Sequence, residues 1–444
     1  VFVPLAAPGD RVRAEVVTAK PRWARARMVE LLESAPDRRA APCPVFGECG
    51  GCRLQHLPWK RQAAAKRNIV AAALRRIGGL DVEVAETICA GEPLGYRNRV
   101  TLTVRPARLD LDGEVPARAG FHGLHRPAAV IDCPNCLLAE PAVWDAWEAL
   151  APWDCLPEAV GEKAELRVTI RAAVDGRIAL LVEGGTGAGN RDELCERLPG
   201  LESYLWIDDE GVRCQLAGRA TFAEEWQGVR FRLDPTVFLQ VNRAAAAAMD
   251  DWIDARIEAE FDLATRREGR REDMESLGKD LMGGLRVADL YAGVGARAIR
   301  WARDGAEVST CEIDRYACEA SRAAARKQAG RVDVRRGRVE DHLELTEADL
   351  VVVNPPRAGL SGEVREALAA GPARAVAYVS CDPATLARDL ERITDAYDVV
   401  AVQPFDAFPQ TAHVEAIAWL RRRADATPAD PETAGLDGAD AETA

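Results

Sequence analysis

From about residue 234 onward, short apolar runs alternate with helix-length stretches, and this rhythm constrains the fold more than any other feature. Residues 285–290, 307–311, 349–353 and 375–379 are rich in Val, Ala and Leu with little polar alternation. A strand that is apolar on both faces is buried on both, as in a parallel sheet covered by helices. Residues 241–260 read as a helix that opens this part. For 234–422 the fold expected is therefore α/β, a Rossmann-like doubly wound sheet.

The chain upstream has a different texture. In 1–36, Val12, Ala14 and Val16 alternate with Arg11, Arg13 and Glu15, and Pro4, Pro8, Gly9 and Pro21 punctuate turns. A small β-barrel is expected there. The opening Val-Phe-Val-Pro, already in strand pattern, leads us to expect an N-terminally incomplete module. Residues 58–77 read as a helix closed by Gly78 and Gly79, with Lys60, Arg61, Lys66, Arg67, Arg75 and Arg76 as basic surface. The region 37–233 carries strand-like runs at 99–104, 165–170 and 178–182, a mainly antiparallel central domain. Residues 262–283 are charged and glycine-punctuated and are expected to form a mobile insertion; 423–444 are expected to be a disordered acidic tail.

Charge is unevenly placed. Residues 1–80 carry 15 Lys/Arg against 6 Asp/Glu, so an overall charge of −13 leaves −22 for the remainder. A basic end on an acidic body points to a localised anionic partner rather than to a uniformly basic nucleic-acid binder. No apolar run approaches the ~18 residues of a membrane span, and a cytoplasmic location is expected. In that compartment the 12 cysteines are read as ligands, catalysts or core rather than as disulfides.

The run 285–290 leads into Asp289-Leu-Tyr291-Ala-Gly293-Val-Gly295 ahead of a helix. Glycines at a strand-to-helix turn admit close backbone approach by a nucleotide-sized ligand. Glu312, at the end of the next strand, is placed to accept from both ribose hydroxyls. Asn354-Pro-Pro-Arg357 follows a later strand and fixes a turn at the same crevice. Together these favour S-adenosylmethionine over a dinucleotide, with Gly293 and Gly295 as backbone contacts. Cys381 ends the run 375–379 just before the helix that Asp382-Pro383 starts. A helix N-terminus there is expected to favour the thiolate. A thiolate adding to carbon 6 of uracil activates carbon 5 toward methylation, and a base must then remove the carbon 5 proton. Glu415 is the candidate base, with His413 and Asp406 as neighbouring competitors. Cys43, Cys49 and Cys52 lie within ten residues and Cys133 and Cys136 follow; four thiolates suit tetrahedral zinc or a [4Fe–4S] cluster, and spacing leaves both open.

Five stretches of this sequence together resemble the tRNA/rRNA uracil-5-methyltransferase family. They are Phe238-Leu-Gln240-Val-Asn242, Asp289 to Gly295, Asn354-Pro-Pro-Arg357, the ten residues from Ser380 to Asp389, and Phe408-Pro-Gln-Thr-Ala-His-Val-Glu415. The N-terminal part is similar to the branch that carries a TRAM β-barrel and an iron–sulfur cluster and acts on 23S rRNA. The resemblance implies Cys381 as nucleophile and Glu415 as base. It places Gln240, Tyr291, Glu312 and Asn354 against S-adenosylmethionine. It also favours a [4Fe–4S] cluster on Cys43, Cys49, Cys52 and Cys133 over zinc. RNA is the implied partner, rRNA ahead of tRNA, with Arg11, Arg13, Lys20, Arg22, Arg25 and Arg27 on the barrel, and Arg97 and Arg99 beyond it, as phosphate contacts. No obligate protein partner is evident. The chain departs from the family in Asn354 for the usual aspartate and in Ala292, Ala296 and Arg297 around the glycines. Asn-Pro-Pro also resembles enzymes that methylate exocyclic amines, which is the second enzymatic reading. A non-catalytic RNA-binding protein is the third.

Overall fold

The structure is a computed structural model. It describes residues 1–21, 23–105, 108–110, 113–115, 117–133, 136–159, 165–263, 282–328 and 331–426. The expected mobile insertion, apart from its ends, and nearly all of the expected acidic tail lie outside the described residues, as does Arg22.

The first module is an antiparallel pair, β1 (Arg11–Lys20) and β2 (Trp23–Glu33), to which Phe2 adds a bridge at Arg25. The barrel expected for 1–36 is represented by this pair among the described residues, and most of its side chains are exposed. Helix α1 (Trp59–Arg76) follows within one residue of expectation at each end, with Pro58 as its N-cap residue. It packs Val70 and Leu74 against Leu386, Ala387 and Leu390 of the last helix. At Gly78, just past α1, an added Cβ would lie 2.6 Å from the Ala387 carbonyl oxygen, so only glycine permits this approach. The chain then runs along the far edge of the C-terminal sheet, bridging Val84 to Val402 and Ile88 to Phe405.

The central domain is built on β3 (Arg99–Arg105), β6 (Arg118–His122), β7 (Val130–Asp132), β8 (Leu166–Ala172), β9 (Ile178–Glu183), β10 (Leu201–Ile207) and β11 (Arg213–Gly218). Within it, β4 (Arg108–Asp110) and β5 (Gly113–Val115) pair as a short antiparallel hairpin. Sheet order is β11-β10-β9-β8-β3-β6-β7, antiparallel except where β10 runs parallel to β9. Alternation decides its faces: Val100, Leu102 and Val104 turn inward onto α2 (Pro141–Leu150). Arg99, Thr101 and Thr103 take the other face. Helix α3 (Arg191–Arg197) and the hairpin β12 (Phe222–Trp226) and β13 (Val229–Leu233) lead to the C-terminal domain.

There, α4 (Arg243–Glu260) precedes β14 (Arg286–Leu290), α5 (Ala296–Arg303), β15 (Glu307–Glu312), α6 (Arg315–Gln328), β16 (Val332–Arg336), β17 (Leu350–Val353), α7 (Gly362–Ala370), β18 (Ala375–Ser380), α8 (Pro383–Ile393), β19 (Tyr397–Phe405) and β20 (Glu415–Arg422). The order β16-β15-β14-β17-β18-β20-β19 is parallel through β18, while β20 is antiparallel to both neighbours. All four residues of β17 are buried. Burial is worth about 1.5–3 kcal/mol for each such side chain, which favours keeping this strand at the centre of the sheet. This is the expected Rossmann-like architecture. The strand order reverses beside β14, and an α/β sheet opens its ligand crevice at that point, at the carboxyl ends of the strands. Among the described residues no helix is long and apolar enough to cross a membrane.

Candidate active site

A cavity of about 680 Å³ lies at this switch point. Its floor comes from the ends of β14, β15, β17 and β18, which deliver Tyr291 to Gly293, Glu312, Asn354 and Cys381. Gln240 closes the side next to α4. The Glu312 carboxylate accepts from the Gly293 and Asp314 amides, both at 2.8 Å. That ties the glycine turn to the next strand. Tyr291 sits at φ +60, a left-handed conformation rare outside glycine, and its aromatic ring lines the wall. Gly295 is not part of the wall. It is the N-cap residue of α5 at φ +66, and an added Cβ would meet Ser321 Oγ at 2.8 Å. Its role is to let α5 and α6 close behind the turn. Gly295→Ala is therefore expected to lower thermal stability by about 1–3 kcal/mol through backbone strain, checked by the shift in thermal unfolding.

Cys381 and Glu415 meet because of strand register. Ser380 pairs with Ala416 across the antiparallel β18 and β20, so the next pair outward is Cys381 beside Glu415. The base belongs to the first position of the last strand, and antiparallel pairing brings it to the same end of the sheet as the nucleophile. Glu415 is 3% exposed. Burial pushes its carboxyl up to about 7, against the nearby positive charge of Arg357. The Cys381 thiol is raised from its ordinary value by burial and by Glu415, again opposed by Arg357. This corrects the expectation that the helix N-terminus lowers it. The Asp382 carboxylate accepts from the Ala384 and Thr385 amides, so the dipole end of α8 is already satisfied. The two competing bases are placed elsewhere. Asp406 is buried in an ion pair with Lys66, and neither it nor His413 lines the cavity.

Nothing local in the sequence singles out Arg357. It stands in the loop after Asn354-Pro-Pro and lines the cavity near both Cys381 and Glu415. Asp389, equally unmarked, holds this loop: it accepts from Leu360 N and Tyr378 Oη, both at 2.7 Å, and from Arg365 and Arg388. Beneath the glycine turn, Asp289 and Asp250 are buried around Arg297. Burial raises Asp289 to about 6. Arginine at 297 is thus one part of a buried charge cluster at the cavity wall.

Comparison with known proteins places this geometry. The model of the family described as tRNA (Uracil-5-)-methyltransferase matches residues 296–423. An uncharacterised RNA methyltransferase of Gloeobacter violaceus is 32% identical, with 95% of this chain and 91% of that protein covered. One from Thermosynechococcus vestitus is 31% identical over 95% and 92%. The chain belongs to the tRNA (uracil-5-)-methyltransferase family of RNA methyltransferases. Its fold is also that of the Pyrococcus abyssi tRNA (uracil-54, C5)-methyltransferase, solved with S-adenosyl-L-homocysteine. The TM-score is 0.69 at 23% identity, covering 94% of this chain and 95% of that one.

This RNA methyltransferase has a second cavity, of about 250 Å³, between the 43–55 segment and the central sheet. Cys43, Cys49, Cys52, Cys133 and Cys136 all line it, together with Arg97 and Arg99. Burial raises the Cys52 thiol to about 12, and Cys136 is lowered to about 6 by the hydrogen bond from Cys133. Among the described residues, no three His, Cys, Asp or Glu side chains form a group that could hold a metal ion. The remaining cysteines divide as expected, with Cys155, Cys311 and Cys318 buried in the core. On the hairpin, Arg11, Arg13 and Arg27 pair with Glu33, Glu30 and Glu15 of the facing strand. Their charge is locally balanced, which weakens their expected role as phosphate contacts. Arg99 packs its guanidinium over Phe238, which is 57% exposed at the mouth of the first cavity.

Proposed function

We propose that this RNA methyltransferase forms 5-methyluridine in ribosomal RNA, with Cys381 as the nucleophile and Glu415 as the base. The observation that carries the reading is the register pair itself: a thiol and a buried carboxylate side by side at one end of a nucleotide-sized cavity. Gln240, Tyr291, Gly293, Glu312 and Asn354 would hold S-adenosylmethionine, with Gly295 supporting the turn from behind. When bound, that cofactor supplies an electrophilic methyl group. The Cys381 thiolate adds to carbon 6 of uracil, which makes carbon 5 nucleophilic. A carbon–carbon bond would then form to the methyl as its bond to the sulfonium sulfur breaks and S-adenosylhomocysteine leaves. Glu415 then takes the carbon 5 proton, the carbon 6–sulfur bond breaks, and the double bond and free thiolate are restored. Burial prepares Glu415 for this step, since a base is most effective with its pKa near the working pH.

In the second cavity the donors are all sulfur and come from two chain segments about eighty residues apart. That chemistry supports a [4Fe–4S] cluster on Cys43, Cys49, Cys52 and Cys133, although among the described residues these side chains are not grouped so as to hold a metal ion. The cluster would act there as a cross-link between the 43–52 segment and the central sheet. Cys136 lines the same cavity; the family resemblance, with the proline that follows Cys133, ranks it second as the fourth ligand. A target uridine in folded RNA must leave its stack to reach Cys381, and the exposed Phe238, backed by the half-buried Arg99, flanks that entrance.

Mapping of modified nucleosides by mass in RNA from a deletion strain tests the function. One 5-methyluridine is expected to disappear from ribosomal RNA. Its loss from transfer RNA instead would move the substrate, and loss of a methylated purine would overturn the reaction.

A further inference from the structure

Glu415 is the first residue of β20, and the preceding connection, 406–414, decides where its carboxylate stands. Thr411 closes a turn within that connection by donating to the Phe408 carbonyl, and Asn242 Nδ2 donates to the Ala407 carbonyl at 3.2 Å. The rest of its hold comes from residues more than 300 positions earlier in the chain. Lys66, fully buried on α1, pairs with the Asp406 carboxylate and donates to the Phe408 carbonyl at 3.0 Å. Trp59 Nε1 donates to the same carboxylate at 2.7 Å. Tyr96 Oη donates to the Pro409 carbonyl at 3.1 Å. At Gln410 the hold is tightest. Its side-chain oxygen accepts from Gln62 Nε2 and its amide donates to Gln62 Oε1, each at 2.9 Å. Its carbonyl accepts from the Arg53 and Leu54 amides, both at 3.0 Å. Gln410 is at φ +70, a conformation that a non-glycine residue keeps only where its surroundings impose it.

We propose that Gln62 and Lys66 are positioning residues for the general base, fixing the 406–411 segment so that Glu415 faces the nucleophile across β18 and β20. The proposal rests on the reading of Glu415 as the base. Their action is confined to one step. The nucleophile and most of the cofactor wall stand on β14, β15, β17 and β18, whose ends this connection does not anchor. On the Gln240 side the link is that of Asn242 to the Ala407 carbonyl, a contact that Gln62 and Lys66 do not make. Displacing the connection therefore slows proton removal and leaves adduct formation in place. The Arg53 and Leu54 amides follow directly after Cys52, so the cysteine-lined segment grips the same loop from its other side.

The test uses the full chain, with total RNA from a strain lacking the protein as substrate. Gln62→Met is expected to reduce kcat by tenfold or more. Affinity for S-adenosylhomocysteine should stay within twofold, and a covalent protein–RNA adduct should accumulate during turnover. Gln410→Gly serves as the second variant, because glycine accepts the left-handed backbone while removing the side-chain oxygen that accepts from Gln62 Nε2. It is expected to act in the same direction but less strongly, since its amide still donates to Gln62 Oε1. An unchanged kcat in either folded variant overturns the proposal. So does a loss of rate that tracks the folded fraction with no adduct. Glu415→Gln, run in parallel, separates the two readings. If it accumulates adduct while the loop variants do not, positioning alone fails; if it turns over normally, the base assignment fails first.

Discussion

Replacing Cys381 with alanine is expected to lower methylation by on the order of a thousandfold or more, because in the proposed mechanism it is this thiolate that activates carbon 5 of uracil. The substitution removes one sulfur from a half-buried position, so its cost in stability should stay within about 1 kcal/mol. Activity is then lost from a folded protein, which thermal unfolding can verify. RNA containing 5-fluorouridine sharpens the measurement. Fluorine at carbon 5 cannot leave as a proton, so the wild-type protein should be trapped as a denaturant-resistant adduct through Cys381, and the alanine variant should form none. The exocyclic-amine reading suggested by Asn354 requires the opposite, since an amine nitrogen is nucleophilic without a thiolate and turnover would survive. A non-catalytic RNA-binding protein would retain RNA and show no cofactor binding in either form.

What could be read from the chain in advance follows a physical division. Strand runs that are apolar throughout, such as Leu350–Val353, announce a buried parallel sheet, and each one's end marks a place on the crevice floor. Gly293, Glu312, Asn354 and Cys381 were therefore legible as neighbours. Glu415 is different, because its approach to Cys381 depends on β20 running antiparallel and on the Ser380–Ala416 register, neither of which leaves a local signature. Lys66 reads as one more base on a charged helix, yet it is fully buried, since its partner Asp406 lies 340 residues away. Long-range pairs of this kind also changed the hairpin, where the facing glutamates of Arg11, Arg13 and Arg27 are set by strand register. The thiol of Cys381 shows competition between local and tertiary effects: the helix start is where the sequence puts it, but burial and Glu415 outweigh its influence.

Glu415→Gln should separate catalysis from stability, moving them in opposite directions. Without the carboxylate, addition of Cys381 and methyl transfer still proceed, but the carbon 5 proton stays in place and the thiolate is not expelled. Steady-state turnover should fall by on the order of a hundredfold or more, and the methylated protein–RNA adduct should become the dominant species by denaturing electrophoresis. The pH dependence follows from burial. Wild-type turnover should rise through about pH 7 as Glu415 loses its proton, and keep rising into the alkaline range because the Cys381 thiol is also raised. In the variant, turnover should lose the rise near 7, and adduct formation, which precedes proton removal, should show only the alkaline limb that belongs to the thiol. For stability the sign runs the other way. A carboxyl that titrates at about 7 when folded and 4.5 when unfolded makes the folded state hold more protons between those values. Its ionisation therefore erodes stability as pH rises through that window. Above pH 7 the full cost is present, about 3 kcal/mol; below about 4.5 both states are protonated and it disappears. Chemical denaturation should accordingly find Glu415→Gln close to wild type near pH 4.5 and more stable by about that amount at pH 8. A difference that does not grow with pH would mean that the buried carboxylate is not held near neutrality, and with it the base would lose the property that suits it to this reaction.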